Sequence, residues 1–257
     1  MRAGLAAVSA ASAIGCGRIG FDALSDAATA DAPLVEPAGL IARWPLDEGT
    51  GMQALDVIGD AHGTLSAIGG ALEPTWTSGH RGSALMFAGD GDRVLTGLHD
   101  QLNNLPAFTL SAWVRPTALS ILNGAHSVID KGSPTNGWAF GVADHFDGDL
   151  WFRAAYPNSR VQRSSAGGML VTGRWFFIAA SWDGRPTNDS IAIYLDGVEV
   201  PPAYTEDSTE PRPDDATNDL TINNNGSTGY AGAIDDARVY GRILSADEIA
   251  TIYAATK

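Results

Sequence analysis

The sequence predicts a β-sandwich of two antiparallel sheets that ends in one short helix. From Leu40 onward, short apolar stretches are separated by clusters of Gly, Asp, Asn and Pro at fairly regular intervals, as strands are by turns. Glycine is frequent, at 30 of 257 residues, while charged residues make up only 18%. Helical periodicity is found in the last segment of the chain. Many strands without intervening helices favour an all-β fold of two packed sheets.

Ten apolar stretches are predicted as strands. Residues 108–114 alternate in polarity, which is typical of a strand with one buried face. Asp196-Gly197 directly follows the stretch 191–195 and predicts a tight hairpin, because a type I′ turn needs positive φ. The other predicted strands are 40–46, 83–87, 127–129, 138–142, 150–154, 174–182, 220–222 and 231–240.

The last element is predicted to be a helix. Ser245 and Glu248 have the spacing of a capping box, in which each side chain satisfies a backbone N–H at the start of the helix. Ile249, Ile252 and Tyr253 then form one apolar stripe. We expect this helix to pack on the rim of the sandwich.

The start of the chain is typical of an exported protein. A positive charge at Arg2 and an apolar stretch at 5–14 precede the sole cysteine, Cys16. The segment 13–16 resembles a bacterial lipobox, in which the cysteine is lipidated, although Ala13 stands where that motif usually has Leu. The alternatives are a cleaved secretory signal with an incidental cysteine, and a cytosolic protein with an irregular start. A single cysteine excludes an intrachain disulfide and a Cys-based zinc cluster.

Composition divides the rest of the chain into a linker and a domain. Residues 17–39 are rich in Ala, Asp, Ser, Thr and Pro and predict a flexible linker between the signal at 1–16 and the domain at 40–257. The net charge is -14, from 16 Lys and Arg against 30 Asp and Glu. Because phosphate contacts need clustered cations, nucleic acid is not an expected partner. No apolar run reaches the ~18–20 residues of a membrane span, so membrane attachment is expected through a lipid on Cys16 alone.

Several short segments follow one another in the order of a known family. They are 42–51, 62–65, 82–87 with 89–92, 108–116, 173–184, 193–197, and 232–245 followed by Glu248-Ile249. Together they resemble the LamG-like jelly-roll domains of the concanavalin A-like lectin/glucanase superfamily, from about Leu40 to the end of the chain. The resemblance implies a jelly-roll sandwich of two curved antiparallel sheets. The cysteine pair found in some relatives is missing from this sequence.

The resemblance also implies a calcium site. Members of this fold often hold one structural Ca²⁺, which takes carboxylate and carbonyl oxygen ligands. The matching positions are Asp56 in the loop after the first strand, Asp92, and Asp235 in the last strand. The loop has Asp56-Val57-Ile58-Gly59 where the family has Asp-x-Ser-Gly. The alternative for each Asp is a turn or cap residue that bonds nearby backbone.

An aromatic side chain is the second candidate for ligand binding, because sugar rings stack on Trp and Tyr. Strand alternation places Trp151 and Arg153 on one face of the stretch 150–154, and Asp149 and Tyr156 lie close by in sequence. If that face is exposed, Trp151 could be a stacking platform with Arg153 and Asp149 as polar partners. The alternative is a buried aromatic ring. We interpret residues 144–149 as a solvated hairpin turn, and 201–219 as an extended surface loop that can border a binding site.

Catalytic motifs are missing from the sequence. The seven glutamates never form the Glu-x-Asp-x-x-Glu spacing of related glycoside hydrolases, and we find no nucleophile elbow, His-Glu-x-x-His helix or phosphate loop. We therefore expect an exported recognition domain that binds a glycan. The alternatives are an adhesive domain that binds an extracellular protein, and an enzyme whose carboxylates converge from different strands.

Overall fold

The computed structural model describes residues 36–89, 91–120, 125–133, 135–223 and 229–257. These residues belong to one compact unit, Val35–Lys257. The predicted signal with Cys16, and the linker up to residue 35, lie outside the described residues. Glu36 accepts hydrogen bonds from Arg238 and Tyr240 of the last strand. The compact unit thus begins a few residues before the predicted boundary at residue 40.

Within the described residues, an eight-stranded antiparallel sheet is built around the last strand, β17 (Gly232–Tyr240). One edge of β17 pairs with β7 (Phe108–Pro116), while the other pairs first with β5 (Ser83–Phe87) and then with β1 (Leu40–Trp44). A bulge between Asp235 and Arg238 interrupts the pairing with β7. The sheet is completed by β4 (Thr75–Ser78), β12 (Phe176–Trp182), β13 (Ile191–Leu195) and β14 (Val198–Glu199) in the order β14-β13-β12-β7-β17-β5-β4.

Among the residues that the structure describes, the second sheet has nine antiparallel strands. They are β2 (Gln53–Ala54), β3 (Gly63–Ala67), β6 (Asp92–Gly97), β8 (His126–Ser133), β9 (Asn136–Val142), β10 (Leu150–Ala155), β11 (Arg160–Ser165), β15 (Pro202–Glu206) and β16 (Leu220–Asn223). Their order is β15-β11-β10-β9-β8-β16-β6-β3-β2. The predicted all-β class with two antiparallel sheets is therefore confirmed.

One apolar core fills the space between the two sheets. Strand alternation sends Leu110 and Ile178 of the eight-stranded sheet, and Phe140 and Phe152 of the nine-stranded sheet, into this core. All four side chains are fully buried. Burial of apolar area stabilises the fold by roughly 25 cal/mol per Å². The two sheets therefore hold each other through their inner faces.

A second, smaller core lies on the outer face of the eight-stranded sheet. The helix α1 (Ala246–Thr256) places Ile249 and Ile252 against Trp113, Phe177 and Tyr194 of that sheet. The predicted capping box is present at its first turn. The helix thus covers a sheet face, and our expectation that it packs on the rim is wrong, because its apolar stripe matches an apolar outer face. No helix in the described ranges has the length and apolar run that a membrane crossing needs.

The hairpin predicted from Asp196-Gly197 is confirmed. Both residues have positive φ, 49° and 80°, and the turn joins β13 to β14. A Cβ at Gly197 would lie 3.0 Å from the Tyr253 ring of α1. The glycine therefore serves both the turn and the close approach of the helix.

Removal of one apolar anchor of α1 tests the second core. We expect Ile252→Ala to lower the free energy of unfolding by about 3 kcal/mol, because the buried side chain leaves a cavity. Urea unfolding followed by tryptophan fluorescence measures the change. Ala254→Ser, at an exposed position on the same helix, is the control and should stay within about 0.5 kcal/mol of the parent. Equal stability of Ile252→Ala and the control would contradict this packing.

Candidate ligand-binding face

The outer face of the nine-stranded sheet carries a row of polar side chains. Phe152 points into the core, so Trp151 and Arg153 on either side of it point outward, as the alternation predicts. Arg153 pairs with Ala139 on one neighbouring strand and with Gln162 on the other. These positions therefore lie side by side across the outer face.

Adjacent strands and one loop extend this row. Pairing places Asp130 beside Ala139 at one end of the row and Glu206 beside Gln162 at the other. A second row runs next to it, in which Trp151 pairs with Ser164 and Ser164 pairs with Tyr204. The β9–β10 loop brings the side chains of Asp144 and His145 onto the same face. We call this set the polar face; it comprises Asp130, Asp144, His145, Trp151, Arg153, Gln162, Tyr204 and Glu206.

The β9–β10 loop is tied to the polar face by hydrogen bonds and a ring stack. The Gln162 side-chain amide donates to Asp144, whose carboxylate also lies 2.9 Å from Nδ1 of His145. The imidazole of His145 stacks on the Tyr204 ring with 3.6 Å between centroids. Both rings are partly exposed. The loop therefore adds the Asp144 carboxylate and the His145 imidazole to the outer surface, where the imidazole forms a stacked pair with Tyr204 of β15.

Two buried polar atoms beneath this surface layer make no hydrogen bond to any described residue. Within the described residues, Nε1 of Trp151 and Oε1 of Gln162 have no hydrogen-bond partner, although both side chains are fully buried. Buried polar atoms are almost always paired, and an unpaired one costs about 1–3 kcal/mol. Beneath its surface layer, the polar face therefore has one N–H donor and one carbonyl acceptor that make no hydrogen bond to any described residue.

Arg153 supplies a cation to the same face. Its guanidinium lies 4.7 Å from the centroid of the Trp151 ring, and it makes no hydrogen bond or ion pair to any described residue. Burial raises the pKa of neighbouring Asp130 to about 6, while the positive charge of Arg153 opposes that rise. Asp130 itself accepts a hydrogen bond from the backbone N–H of Gly132. The charge of Arg153 therefore attracts the Asp130 carboxylate, but the two side chains form no hydrogen bond or ion pair with each other.

The predicted ligand residues are only partly placed where a ligand could meet them. The Trp151 ring has no exposed surface and Arg153 lies over it, so our interpretation as a sugar-stacking platform is wrong. Asp149 is fully buried and accepts the backbone N–H groups of Asp144 and His145, so it shapes the loop. Tyr156 is buried in the sandwich core.

The polar face also contains residues that the sequence analysis missed. Gln162 lies on β11 and Tyr204 on β15, two strands without a clear apolar alternation. His145 lies in the segment interpreted as a solvated turn. The position of Tyr204 in the predicted surface loop 201–219 was the available indication, because a loop of that length can border a binding site.

The three predicted metal ligands act as separate backbone caps. The Asp56 carboxylate accepts three backbone N–H groups of nearby segments, Asp92 accepts two from its own turn, and Asp235 accepts those of His80 and Arg81. In the described part of the chain, no group of three or more His, Cys, Asp or Glu side chains is arranged to hold a metal ion. The structure therefore does not assemble these residues into one site, and bound Ca²⁺ stays a prediction.

Asp235 borders a separate cavity of about 80 Å³ beside the end of α1. The imidazole of His80 stacks on Trp113 with 3.6 Å between centroids, and Trp113 donates to Oγ1 of Thr256. Burial, helped by the nearby carboxylates of Asp236 and Asp47, raises the pKa of the Asp235 carboxyl to about 7, although the backbone N–H groups of Arg81 and His80 oppose the rise. The cavity lining consists of Arg43, Pro45, Asp47, His80, Arg81, Trp113, Asp235, Asp236 and Thr256.

Comparison with known proteins identifies the family. The family model Laminin_G_3, described as the concanavalin A-like lectin/glucanases superfamily, matches residues 88–250, which is more than half of the chain. The chain therefore belongs to this family, and the resemblance seen in the sequence is confirmed. No curated protein sequence matches the chain.

Several solved structures share the fold. Domain 4 of AbnA, an extracellular arabinanase from Geobacillus stearothermophilus solved with arabinotriose, is 18% identical, with a TM-score of 0.62 over 83% of this chain and 98% of that one. The binding domain of botulinum neurotoxin DC, solved with SialylT, is 15% identical, with a TM-score of 0.61 over 86% of this chain. The binding domain of Paraclostridial Mosquitocidal Protein 1 is 13% identical, with a TM-score of 0.61 over 84% of this chain.

The coverage and identity of these matches limit what they show. This chain spans about half the length of the two toxin binding domains, 52% in each case. Identities in this range show the fold alone. The predicted jelly-roll-like lectin/glucanase fold is thereby confirmed.

The raised pKa of Asp235 predicts a pH dependence of stability. Its pKa is about 7 in the folded protein and about 3.9 in an unfolded chain. The folded state therefore binds the proton more tightly, and the free energy of unfolding should fall as pH rises from about 4 to 7. One group contributes at most about 1.4 kcal/mol per pH unit.

Asp235→Asn isolates this contribution, because the amide oxygen can still accept the two N–H groups. Urea unfolding of both proteins between pH 4 and 8 should show the variant gaining stability relative to the parent as pH rises. Parallel stability curves for parent and variant would contradict the raised pKa. Subtracting one curve from the other cancels the separate contribution of Asp130.

Proposed function

We propose that this protein is a noncatalytic recognition domain that binds a carbohydrate at the polar face. The observation that carries the proposal is the stacked pair of His145 and Tyr204, which is partly exposed and shares a polar sheet face with the guanidinium of Arg153. The polar groups of such a face suit sugar hydroxyls, which both donate and accept hydrogen bonds. The fold shared with an arabinanase domain solved with arabinotriose supports this choice of ligand.

The partly exposed layer of the polar face has the chemistry of a sugar site. The stacked pair of His145 and Tyr204 offers an aromatic surface with polar edges, which suits the mixed apolar and hydroxyl surface of a sugar ring. The guanidinium of Arg153 adds donors beside this pair. Ligand sites commonly combine a few such polar groups with aromatic surface.

The carboxylates of the polar face support a noncatalytic role. Glu206 accepts hydrogen bonds from Arg160 and Tyr204, and Asp144 is bound by Gln162. Glycoside hydrolysis needs two carboxyl groups free to act on the glycosidic bond as acid and as base or nucleophile. The described carboxylates of this face are instead engaged in holding its strands and loop together.

A glycan array with the purified domain tests the proposal. We expect at least one oligosaccharide to bind, and Tyr204→Ala to weaken that binding about tenfold, because the variant removes the partner of the His145 ring. Tyr204→Phe keeps the ring and is the matched control, with binding near that of the parent. A blank array together with binding to a protein would contradict the proposal in favour of an adhesive domain. Hydrolysis of the bound saccharide would show an enzyme.

We also propose that the protein is exported and anchored to a bacterial membrane through a lipid on Cys16. The support is the sequence alone: an apolar stretch that leads to a lipobox-like segment in a chain with one cysteine. Two or three acyl chains are sufficient for stable anchoring, because each buried CH₂ contributes about 0.8 kcal/mol.

Metabolic labelling in a bacterial host tests the anchor. We expect radioactive fatty acid to be incorporated into the parent protein and not into Cys16→Ala, since the thiol is the attachment site. Immunoblotting controls for equal expression of the two proteins. A parent protein that is expressed without label would contradict the lipid anchor.

A further inference from the structure

We infer that the carbohydrate bound at the polar face is acidic and that Arg153 binds its carboxylate. This inference rests on the proposed function and names the class of sugar. It is carried by the surroundings of Arg153: its guanidinium is stacked on Trp151, partly exposed and without a carboxylate partner among the described residues, on the same face as the stacked rings of His145 and Tyr204.

Arg153 belongs to the minority of described arginines without an ion pair to Asp or Glu, a minority that also includes Arg115. Acidic residues outnumber basic ones by 30 to 16, so carboxylates are plentiful. Eight described arginines form an ion pair with Asp or Glu: Arg43, Arg160, Arg163, Arg174, Arg185, Arg212, Arg238 and Arg242. Arg153 forms none among the described residues, although it lies in a sheet that brings two acidic side chains into the same row.

Local geometry explains why Arg153 stays unpaired. Its direct neighbours across the strands are Ala139 and Gln162, and neither carries a charge. Asp130 lies one strand further away, and its carboxylate accepts a hydrogen bond from the backbone N–H of Gly132. Glu206, at the other end of the row, is bound to Arg160. The Asp144 carboxylate accepts a hydrogen bond from Gln162, so each of these carboxylates is engaged with a group other than Arg153.

The Trp151 ring fixes the guanidinium in position. With the cation 4.7 Å from the ring centroid, the side chain is supported from one side and remains partly exposed. A guanidinium offers a planar fork of donors that matches a carboxylate with two parallel hydrogen bonds. An arginine already ordered by stacking loses little freedom when such a ligand binds.

The rest of the polar face distinguishes a sugar acid from a simple anion. The stacked rings of His145 and Tyr204 share this face with Arg153 and are partly exposed. A ligand whose carboxylate binds Arg153 can therefore place a sugar ring on the same face against these rings, which a simple anion cannot do. The net charge of -14 opposes the long-range approach of an anion, but that field is screened beyond about 8 Å at physiological ionic strength, whereas the contact with Arg153 is not.

The decisive comparison changes the ligand and leaves the protein intact. Oligosaccharides of uronic acids are measured beside the same oligosaccharides after reduction of their carboxyl groups to alcohols, with sulfated oligosaccharides as a third set. We expect the domain to bind an acidic member at least ten times more tightly than its reduced counterpart, and more tightly than the sulfated set. This comparison does not depend on the folding of any variant.

Variants then assign the effect to Arg153. Arg153→Gln should weaken binding of the acidic oligosaccharide at least tenfold and leave the reduced one within about twofold, and Arg153→Lys should be intermediate because it keeps the charge and loses the fork. Arg115→Gln is the matched control, since that guanidinium lies 5.0 Å from the Trp175 centroid on the other sheet. It should leave both affinities unchanged.

The possible failures are distinguishable. Equal binding of acidic and reduced oligosaccharides, with Arg153→Gln unaffected, would overturn the inference and leave the proposed function standing. Preference for the sulfated set would overturn the assignment of a carboxylate. Binding to none of the three sets and to no neutral glycan would overturn both the inference and the proposed function.

Discussion

The eight-stranded sheet is covered on both faces and the nine-stranded sheet on one, and the location of the proposed site depends on this difference. The inner faces of the two sheets share the main core. Ile249 and Ile252 of α1 then bury the outer face of the eight-stranded sheet in a second core. Because β12 is buried on both sides, every one of its residues is inaccessible. A ligand that needs a broad polar surface therefore finds it on the nine-stranded sheet.

The sequence predicted the strands that build the cores and missed those that build the site. Residues 83–87 and 191–195 were predicted with the bounds of β5 and β13, because apolar side chains and flanking turns mark them. β11 was missed, since Arg160–Ser165 has Val161 as its one large apolar residue and places polar side chains on the outer face. β15 starts with proline and lies at the sheet edge, so it resembles a loop in sequence. Polar strands are predictable only from the neighbours with which they pair.

Alternation could predict that Trp151 and Arg153 share a face, but not what lies between them and solvent. The exposure of Trp151 depends on the Arg153 side chain and on contacts far apart in sequence. Asp56, Asp92 and Asp235 match family positions, yet each is satisfied by backbone N–H groups, which residue identity alone does not reveal. The unpaired atoms of the polar face are likewise a property of packing. What separates this face from an ordinary solvated sheet surface is the partly exposed stack of His145 on Tyr204 together with a guanidinium that has no carboxylate partner among the described residues.

NMR of the tryptophan side chains tests most directly whether ligands bind at the polar face. Each indole N–H gives its own signal in a ¹⁵N-labelled protein, and Trp151 and Trp138 both lack a hydrogen-bond partner among the described residues. Trp151 lies in the polar face, whereas Trp138 lies in the core and Trp113 beneath α1. On titration with a bound oligosaccharide, we expect the Trp151 signal to shift and those of Trp138 and Trp113 to stay in place. A shift of Trp113 with Trp151 unchanged would place binding on the opposite sheet and contradict a site at the polar face.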